Sequence, residues 1–551
     1  MIHGHDGGVA VPDPRAPVDD DLADFAIWVL GRSEAVAPLE EALHRTTGRP
    51  RTMPVVAVLV ALLLLAMEDR PLLLTSVTDL LYRRLSSDIR DRLSLTGRVD
   101  DRRSFLAAYR RVRYCFYAIC SVVDPSPLAK NRRLSAEEAE ARSRPMDPTD
   151  IDEARRRLET LVNALLEACT AVLDDREREA FDGSVGLDAT PVPLFSRGPS
   201  VRSGLTASDP DGGWYVRDGD HRDEDGPTGK KRTRIAWALE ATLVTMAPSP
   251  GAAPTHPNLV LGLALTRPGA DPGGTAARLL ASIRSRGHRA GFLGADRAYS
   301  GARPEKFHLP AAALGYSVVM DYRVGELGRQ ANTGGAVLVE GTWYCPSMPE
   351  GLVTATVDHR AGRIDEATYR DRITARRAYR LKRKDGPDAD GYARLTCPAL
   401  GNHPGLMCPL RPSSLTPRDG RLKVIDPPGE PPKLCRQTAI TIAPDIGARH
   451  RQVLDFASEE WARHYATLRN TIEGTNGYLK DPAHETLGQP GRRRVRGIAA
   501  QSIFCAFLVM AANLRKIRAF RALVADGRTA DIAARARRRR TSVGDHLPTT
   551  S

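Results

Sequence analysis

Three acidic residues are placed where their carboxylates could act together. Asp188 and Asp296 each follow a short apolar stretch, in "VGLDAT" and "LGADRAY", and these stretches are typical of neighbouring strands that end at the acids. Sheet proteins gather ligands at the ends of such strands. Glu473, in "RNTIEGTNGYLK", lies in a helical pattern. Hard oxygen ligands suit Mg²⁺ or Mn²⁺, and a pair of such ions supports phosphodiester chemistry. The three acids therefore predict a site of that kind.

Two cations accompany Glu473 on its helix. Arg469 precedes it by four residues and Lys480 follows it by seven, so all three lie on nearly one face of a helix. A surface ion pair explains this spacing with a small gain in stability. The alternative, which we favour, is a metal-bound carboxylate with cations beside it that bind phosphate.

Three other acids compete for the same role. Asp182 precedes the first strand instead of ending it, and Asp321 ends the apolar stretch "SVVM", where a structural role is expected. Glu485 follows a proline and should lie beyond the helix. Asp188, Asp296 and Glu473 remain the better set.

Four cysteines occur in one segment of irregular composition. They stand in "WYCPS", "LTCPA", "LMCPL" and "KLCRQ", and His403 lies between the middle two. Four thiolates could hold a structural Zn²⁺ in a small module with little core. None of the spacings is CxxC, so unligated cysteines are the alternative, and both readings stay open. The four candidate ligands are Cys345, Cys397, Cys408 and Cys435.

The elements before the acids, residues 21–178, are predicted to form a helical domain that binds DNA, with an oligomerisation or packing domain as the alternative. Apolar residues recur at intervals of three and four from residue 21 to about 178. The apolar run at 55–67 is 13 residues long, shorter than the roughly 20 that span a membrane, so a buried helix is expected and no membrane partner. Residues 1–20 are polar and are expected to be disordered. Four cysteines outside the irregular segment lie on apolar faces and are expected to pack: Cys115, Cys120, Cys169 and Cys505.

The remainder predicts a mixed fold of class α+β or α/β. Strand patterns alternate with helices over 179–330, a segment rich in Pro, Arg and Cys follows at 331–445, and helices return over 446–525. The segment 331–445 is therefore interpreted as an insertion into a core made of its two flanks. The basic stretch 526–551 is expected to be a disordered tail.

Composition is compatible with a polyanionic partner. The chain has 551 residues and a formal charge of +13, and most of its 80 basic residues are Arg, which binds phosphate in a bidentate manner. A GC-rich coding sequence also accounts for the Arg excess. The N-terminus has no secretory pattern and the cysteines form no dense disulfide framework, so a cytoplasmic location is expected.

The chain resembles the DDE transposases of bacterial insertion sequences. The matching segments are "GLDATPV", "ADRAYSG" and "YATLRNTIEGTNGYLK", in that order, and the likeness covers roughly 180–325 and 446–517. The last segment is similar to the Tyr-Arg-Glu-Lys signature of the family. It departs from it in having three residues, not two, between Tyr465 and Arg469. Ala298 also replaces a glycine that many relatives have, which is expected to be harmless.

The resemblance implies a ribonuclease H-like core interrupted by an insertion, with metal-dependent DNA cleavage and strand transfer. It implies double-stranded DNA as partner, both as terminal inverted repeats and as target, a homodimer in the DNA complex and a nucleoid-associated location. A nuclease of the same fold and a catalytically inactive DNA-binding derivative are the alternatives. "GRRRVRG" at 491–497 would extend a phosphate track or form a solvated loop. The predicted DNA contacts are Tyr465, Arg469, Lys480, Arg492, Arg493 and Arg494.

Overall fold

A computed structural model describes most of the chain as a mixed α+β structure. The described residues are 16–44, 52–144, 147–200, 204–218, 233–415, 423–483 and 486–529. The expected disorder of 1–20 and 526–551 falls largely outside these ranges, although the first helix already begins at Asp20.

The predicted helical character of the N-terminal third is confirmed. Helix α3 is buried on every side, which explains why its 13 residues are apolar all round. A π-helical turn, Leu80–Arg84, continues α4. The helices are α1 Asp20–Gly31, α2 Val36–Ala42, α3 Val55–Met67, α4 Leu74–Asp79, α5 Ser87–Arg92, α6 Arg102–Val123, α7 Ala136–Ser143, α8 Pro148–Glu167 and α9 Asp175–Glu179.

A six-stranded sheet follows. Its order is β2-β3-β1-β5-β6, with β4 also paired to β3. Strands β1, β3 and β4 are antiparallel neighbours, whereas β5 and β6 run parallel to β1. The strands are β1 Val185–Pro193, β2 Gly213–Asp218, β3 Thr233–Met246, β4 Val260–Thr266, β5 Phe292–Ala295 and β6 Ser317–Val319. Helices α10 Pro272–Ser285, α11 Arg297–Ser300 and α12 His308–Ala313 lie between its later strands in sequence.

One strand was not predicted, and the predicted end of another needs correction. The polar stretch around "DGGWYVR" contains β2, which pairs with the first half of β3. Strand β1 does not end at Asp188 but continues to Pro193. The second half of β1 contains Pro191 and Pro193, which usually end a strand. Here the strand continues through them because β5 pairs with β1 only as far as Leu187, so that beyond this residue β1 is paired with β3 along one edge alone. Proline is tolerated where a strand edge has no partner.

The segment after β6 forms a module with its own core. It contains two small antiparallel sheets, β7-β8-β9 and β10-β11-β12, with short helices between and beside them. The strands are β7 Arg329–Thr333, β8 Ala336–Val339, β9 Thr342–Tyr344, β10 Lys382–Arg383, β11 Ala393–Thr396 and β12 Ala439–Ile442. The helices are α13 Glu350–Val353, α14 Ala355–Arg360, α15 Glu366–Ala375 and α16 Lys433–Arg436.

Two long helices complete the fold. Helix α17, Glu459–Lys480, packs on β1 and β5, and α18, Ile498–Ala525, packs on α3, α8 and β4. By length and composition α18 could cross a membrane, but 89% of its most apolar window is buried inside the protein. Helix α18 is therefore a core helix of this fold.

One hydrophobic core joins the N-terminal helices to the sheet. It contains buried residues of α1, α3, α6 and α8 together with those of β1, β3, β4, α10 and α18. The inserted module has a separate cluster of buried side chains, among them Leu338, Trp343 and Ile440. The N-terminal helices therefore do not form a core of their own.

Candidate active site

Helix α17 is held close against the sheet by two glycines. Gly186 of β1 and Gly294 of β5 are paired side by side in the sheet. A Cβ on Gly294 would lie 2.4 Å from Cβ of Leu468, and one on Gly186 would lie 2.8 Å from the Leu468 carbonyl oxygen. The helix thus approaches the sheet more closely than any side chain at these positions would permit. It begins after Ser458, whose hydroxyl accepts a hydrogen bond from the backbone N–H of Trp461.

The three predicted acids lie close together, and one arginine links two of them. Asp188 lies in β1, directly after the last residue of β1 that pairs with β5. Asp296 directly follows β5, and Glu473 lies on α17. The Arg469 guanidinium is 2.8 Å from a carboxylate oxygen of Asp296 and 2.8 Å from one of Glu473. Both ion pairs share a single cation, so Arg469 links the sheet acid to the helix acid.

Asp188 is the most enclosed of the three acids. Its carboxylate accepts hydrogen bonds from the Asn476 amide at 2.9 Å and from the Ala189 backbone N–H at 2.8 Å. Burial raises the pKa of Asp188, and the nearby negative charges of Asp296 and Glu473 raise it further, against the opposing effect of Arg469. The site therefore holds more negative charge than Arg469 alone compensates.

The other two acids are open to solvent. The side chains of Asp296 and Glu473 are 35% and 49% exposed. In the described part of the chain, no three His, Cys, Asp or Glu side chains are close enough as they stand to hold a metal ion. The carboxylate oxygens suit a hard divalent cation. Coordination would require Glu473 and Asp296 to leave Arg469.

The two remaining signature residues lie on the same helix. The ring of Tyr465 stacks on Trp461 with centroids 4.8 Å apart, and it borders a narrow cleft together with Asp296 and Arg469. Lys480 is in the last turn of α17, on the helix face that carries Glu473. The extra residue between Tyr465 and Arg469 thus still leaves Tyr465 beside the acids.

The arginines of "GRRRVRG" differ in their surroundings. Arg492 forms an ion pair with Asp69 at 3.1 Å, and Arg494 is exposed and lies 5.0 Å from the centroid of the Phe195 ring. Arg493 is fully buried and donates to the backbone carbonyls of Leu487 and, more weakly, Thr486. The prediction that Arg493 contacts DNA is therefore wrong, because its guanidinium is occupied inside the fold.

Two of the three competing acids have structural partners. Asp182 accepts a hydrogen bond from the backbone N–H of Ser184, and Asp321 is buried and accepts one from the backbone N–H of Tyr322. The third, Glu485, lies outside the described residues.

Three residues of the site were not identified from the sequence. Asn476 is three residues after Glu473 on α17, a spacing that could have suggested a shared face. Gly186 and Gly294 carry no chemistry of their own. Their role depends on the register between β1 and β5, which the sequence does not reveal.

Comparison with known proteins leaves the family of the chain open. No family model matches the chain, and no curated protein matches it.

Proposed function

We propose that the chain is a DNA transposase that cleaves and transfers strands at the ends of an insertion sequence, using a divalent metal. The observation that carries this proposal is the convergence of Asp188, Asp296 and Glu473 from β1, β5 and α17. Their order in the chain and the elements that carry them agree with the resemblance to the DDE transposases.

The proposed core is ribonuclease H-like. Three antiparallel strands, in the order β4-β3-β1, followed by β5 and β6 parallel to β1, support it. The separate module between β6 and α17 supports an insertion before the Glu-bearing helix. A nuclease of the same fold would share these features.

Asp188, Asp296 and Glu473 would hold Mg²⁺ or Mn²⁺. When bound, such ions activate water or a DNA 3′-hydroxyl and stabilise the departing oxygen. Asn476 orients the Asp188 carboxylate through a hydrogen bond from its amide, and Arg469 holds Asp296 and Glu473 beside each other before the metal ions bind. Once Asp296 and Glu473 bind metal and no longer pair with Arg469, its guanidinium would be able to bind a phosphate of the DNA strand.

The proposed substrate is double-stranded DNA, first the terminal inverted repeats of the element and then the target. Tyr465, Arg469 and Lys480, on the helix that carries Glu473, would contact it, and Arg492 and Arg494 would extend the phosphate contacts. A homodimer that holds two ends, and a location at the cytoplasmic nucleoid, belong to this proposal.

The test is strand cleavage of labelled DNA from the two flanks of the gene. Cleavage should require Mg²⁺ or Mn²⁺, with Ca²⁺ as the inactive control. Asp188→Asn, Asp296→Asn and Glu473→Gln should each abolish it while DNA binding stays within a few fold, because the acids act on the reaction and not on affinity. The matched control is Glu460→Gln, an exposed acid at the start of the same helix, which should cleave normally.

Other outcomes separate the alternatives. Cleavage of any DNA with no joined product would support the nuclease. Binding to the ends with no cleavage in either metal would support the inactive derivative. Wild-type cleavage by Glu473→Gln would reject the site and make Glu485 the next acid to test.

A further inference from the structure

The four cysteines of the inserted module lie around one small region of its core. Cys345 follows β9, Cys397 follows β11, Cys408 lies in the loop after it, and Cys435 lies on α16. The first three are buried within the module's hydrophobic cluster, and all four are free thiols. Electrostatic interactions join every pair of them except Cys345 with Cys408.

Three of the cysteines begin the same kind of turn. Each is followed by proline, and its carbonyl oxygen accepts a hydrogen bond from the backbone N–H three residues later, at Met348, Leu400 and Arg411. In two of these turns the backbone N–H of the second residue after the cysteine, Ser347 or Ala399, also bonds to the thiol. Burial has the larger effect and raises the pKa of each of the two thiols, whereas these N–H donors have the opposite effect and lower it by less.

Two cations lie beside one cysteine of the group. The Arg411 side chain donates to Cys397, and Lys382 interacts electrostatically with Cys397 as well. Four thiolates around a divalent ion leave a net charge of about −2, which two cations would balance. Buried structural cysteines in an apolar core need no such partners.

The chain between the later cysteines has little regular secondary structure. From Cys397 to β12 the described backbone contains a short 3₁₀ turn, Pro412–Ser414, and the four-residue α16. Linking irregular segments that are distant in sequence is what a structural metal does.

We infer that Cys345, Cys397, Cys408 and Cys435 form a structural site for one Zn²⁺, separate from the acids. As they stand the side chains do not converge enough to hold an ion, so binding requires the thiols to rotate toward a common centre. The zinc would tie the ends of β9 and β11 to α16. It would take no part in DNA cleavage.

The first test is metal analysis of the full-length chain purified without chelator. About one zinc per chain is expected. Replacement by Co²⁺ should give the strong near-ultraviolet absorption of cobalt–thiolate bonds. Less than about a tenth of a zinc per chain, with no absorption after Co²⁺ is added, would overturn the site. So would a thiol count that shows these cysteines paired as disulfides.

Variants then locate the ion. Cys397→Ser and Cys435→Ser should lose zinc, and Cys435 is the safer change because it is the least buried of the four. The matched control is Cys505→Ser, a buried thiol of α18, which should keep the metal. Zinc that remains in both module variants, or that is lost in Glu473→Gln, would reject this assignment. If Cys397→Ser fails to fold, Cys435→Ser and the cobalt spectrum of the wild type still test whether these cysteines bind the metal.

Discussion

At the scale of single residues, the site depends on how its negative charge is distributed. Arg469 compensates Asp296 and Glu473 directly, whereas Asp188 is partly buried and accepts a hydrogen bond from the Asn476 amide. A donor to the ionised carboxylate lowers its pKa, in opposition to burial and to the two neighbouring acids. Asn476 is therefore a positioning residue for Asp188.

Asn476→Ala should shift the pH dependence of cleavage. Without the amide, the pKa of Asp188 rises further above its usual value, so a higher pH is needed to ionise it. The acidic limb of the pH–rate profile should therefore move to higher pH. Once the limb has passed pH 7, the rate at neutral pH should fall roughly tenfold for each further pH unit that the limb moves.

The matched control is Asn470→Ala, an exposed asparagine on the same helix. Its profile should superimpose on that of the wild type. A lower rate in Asn476→Ala with no change in the position of the limb would mean that Asn476 acts only through packing.

The residue types of the site were predictable from the sequence, but their contacts were not. Asp188, Asp296 and Glu473 stood out because each combined a carboxylate with a recognisable element. The dual ion pair of Arg469 depends on a side-chain direction across two elements, and the burial of Arg493 depends on where the chain passes after α17. A run of cations looks the same in the sequence whether it is solvated or enclosed.

At the scale of elements, the glycine pair is the device that positions α17. The helix patterns of α10 and α17 and the strand patterns of β3 and β4 follow from periodicity alone. The distance between α17 and the sheet does not follow from periodicity. That distance is set by Gly186 and Gly294, which remove two side chains from the interface.

Gly294→Ala should disturb both stability and activity. Its new Cβ would lie 2.4 Å from Cβ of Leu468, so α17 or β5 must shift. Overpacking of this kind costs about 1–3 kcal/mol of unfolding free energy. Since Glu473 moves with α17, cleavage should fall by more than the loss of folded protein explains. Denaturant unfolding and cleavage rates measure the two effects.

The control for this change lies on the helix itself. Gly477 of α17 is exposed, and a Cβ added there would meet open space. Gly477→Ala should therefore raise the free energy of unfolding, by up to about 1 kcal/mol from helix propensity. If Gly294→Ala unfolds and cleaves like the wild type, close packing of α17 is not needed to place Glu473.

At the scale of the whole molecule, the N-terminal helices are continuous with the sheet that carries the acids. Buried residues of α3 and α8 share one core with β4 and α18, while the inserted module has a core of its own. Composition separates the insertion well, because its Pro, Arg and Cys content differs from its flanks. It does not show that the helices and the sheet are one body, since a buried apolar face is the same whichever element covers it.

One face of α6 gives the N-terminal helices a surface suited to DNA. Arg103, Leu106, Arg110, Arg113 and Tyr114 recur at intervals that place them on the same side of the helix, and each is exposed. Arg113 also lies 5.3 Å from the centroid of the Tyr117 ring. Cations spaced among aromatic rings on a solvent-facing helix favour contact with phosphate and with a groove.

The double change Arg110→Ala and Arg113→Ala should weaken binding of the full-length chain to DNA from the ends of the element. If both arginines bind phosphate, the slope of log K against log salt should become shallower by about 0.9 for each phosphate that is no longer neutralised. Neither side chain is buried, so the free energy of unfolding should change by less than about 0.5 kcal/mol. Fluorescence anisotropy across a salt series measures the slope.

Arg144→Ala serves as the control, because Arg144 is 75% exposed at the end of α7 and its solvent-exposed ion pair with Glu140 contributes little to stability. It should keep the wild-type slope. A slope unchanged by the double variant would remove α6 from the DNA surface. If affinity falls equally for end DNA and random DNA, α6 binds the backbone and recognition of the end sequence lies elsewhere. A larger fall for end DNA would instead place sequence readout on α6, because phosphate contacts alone do not distinguish one sequence from another.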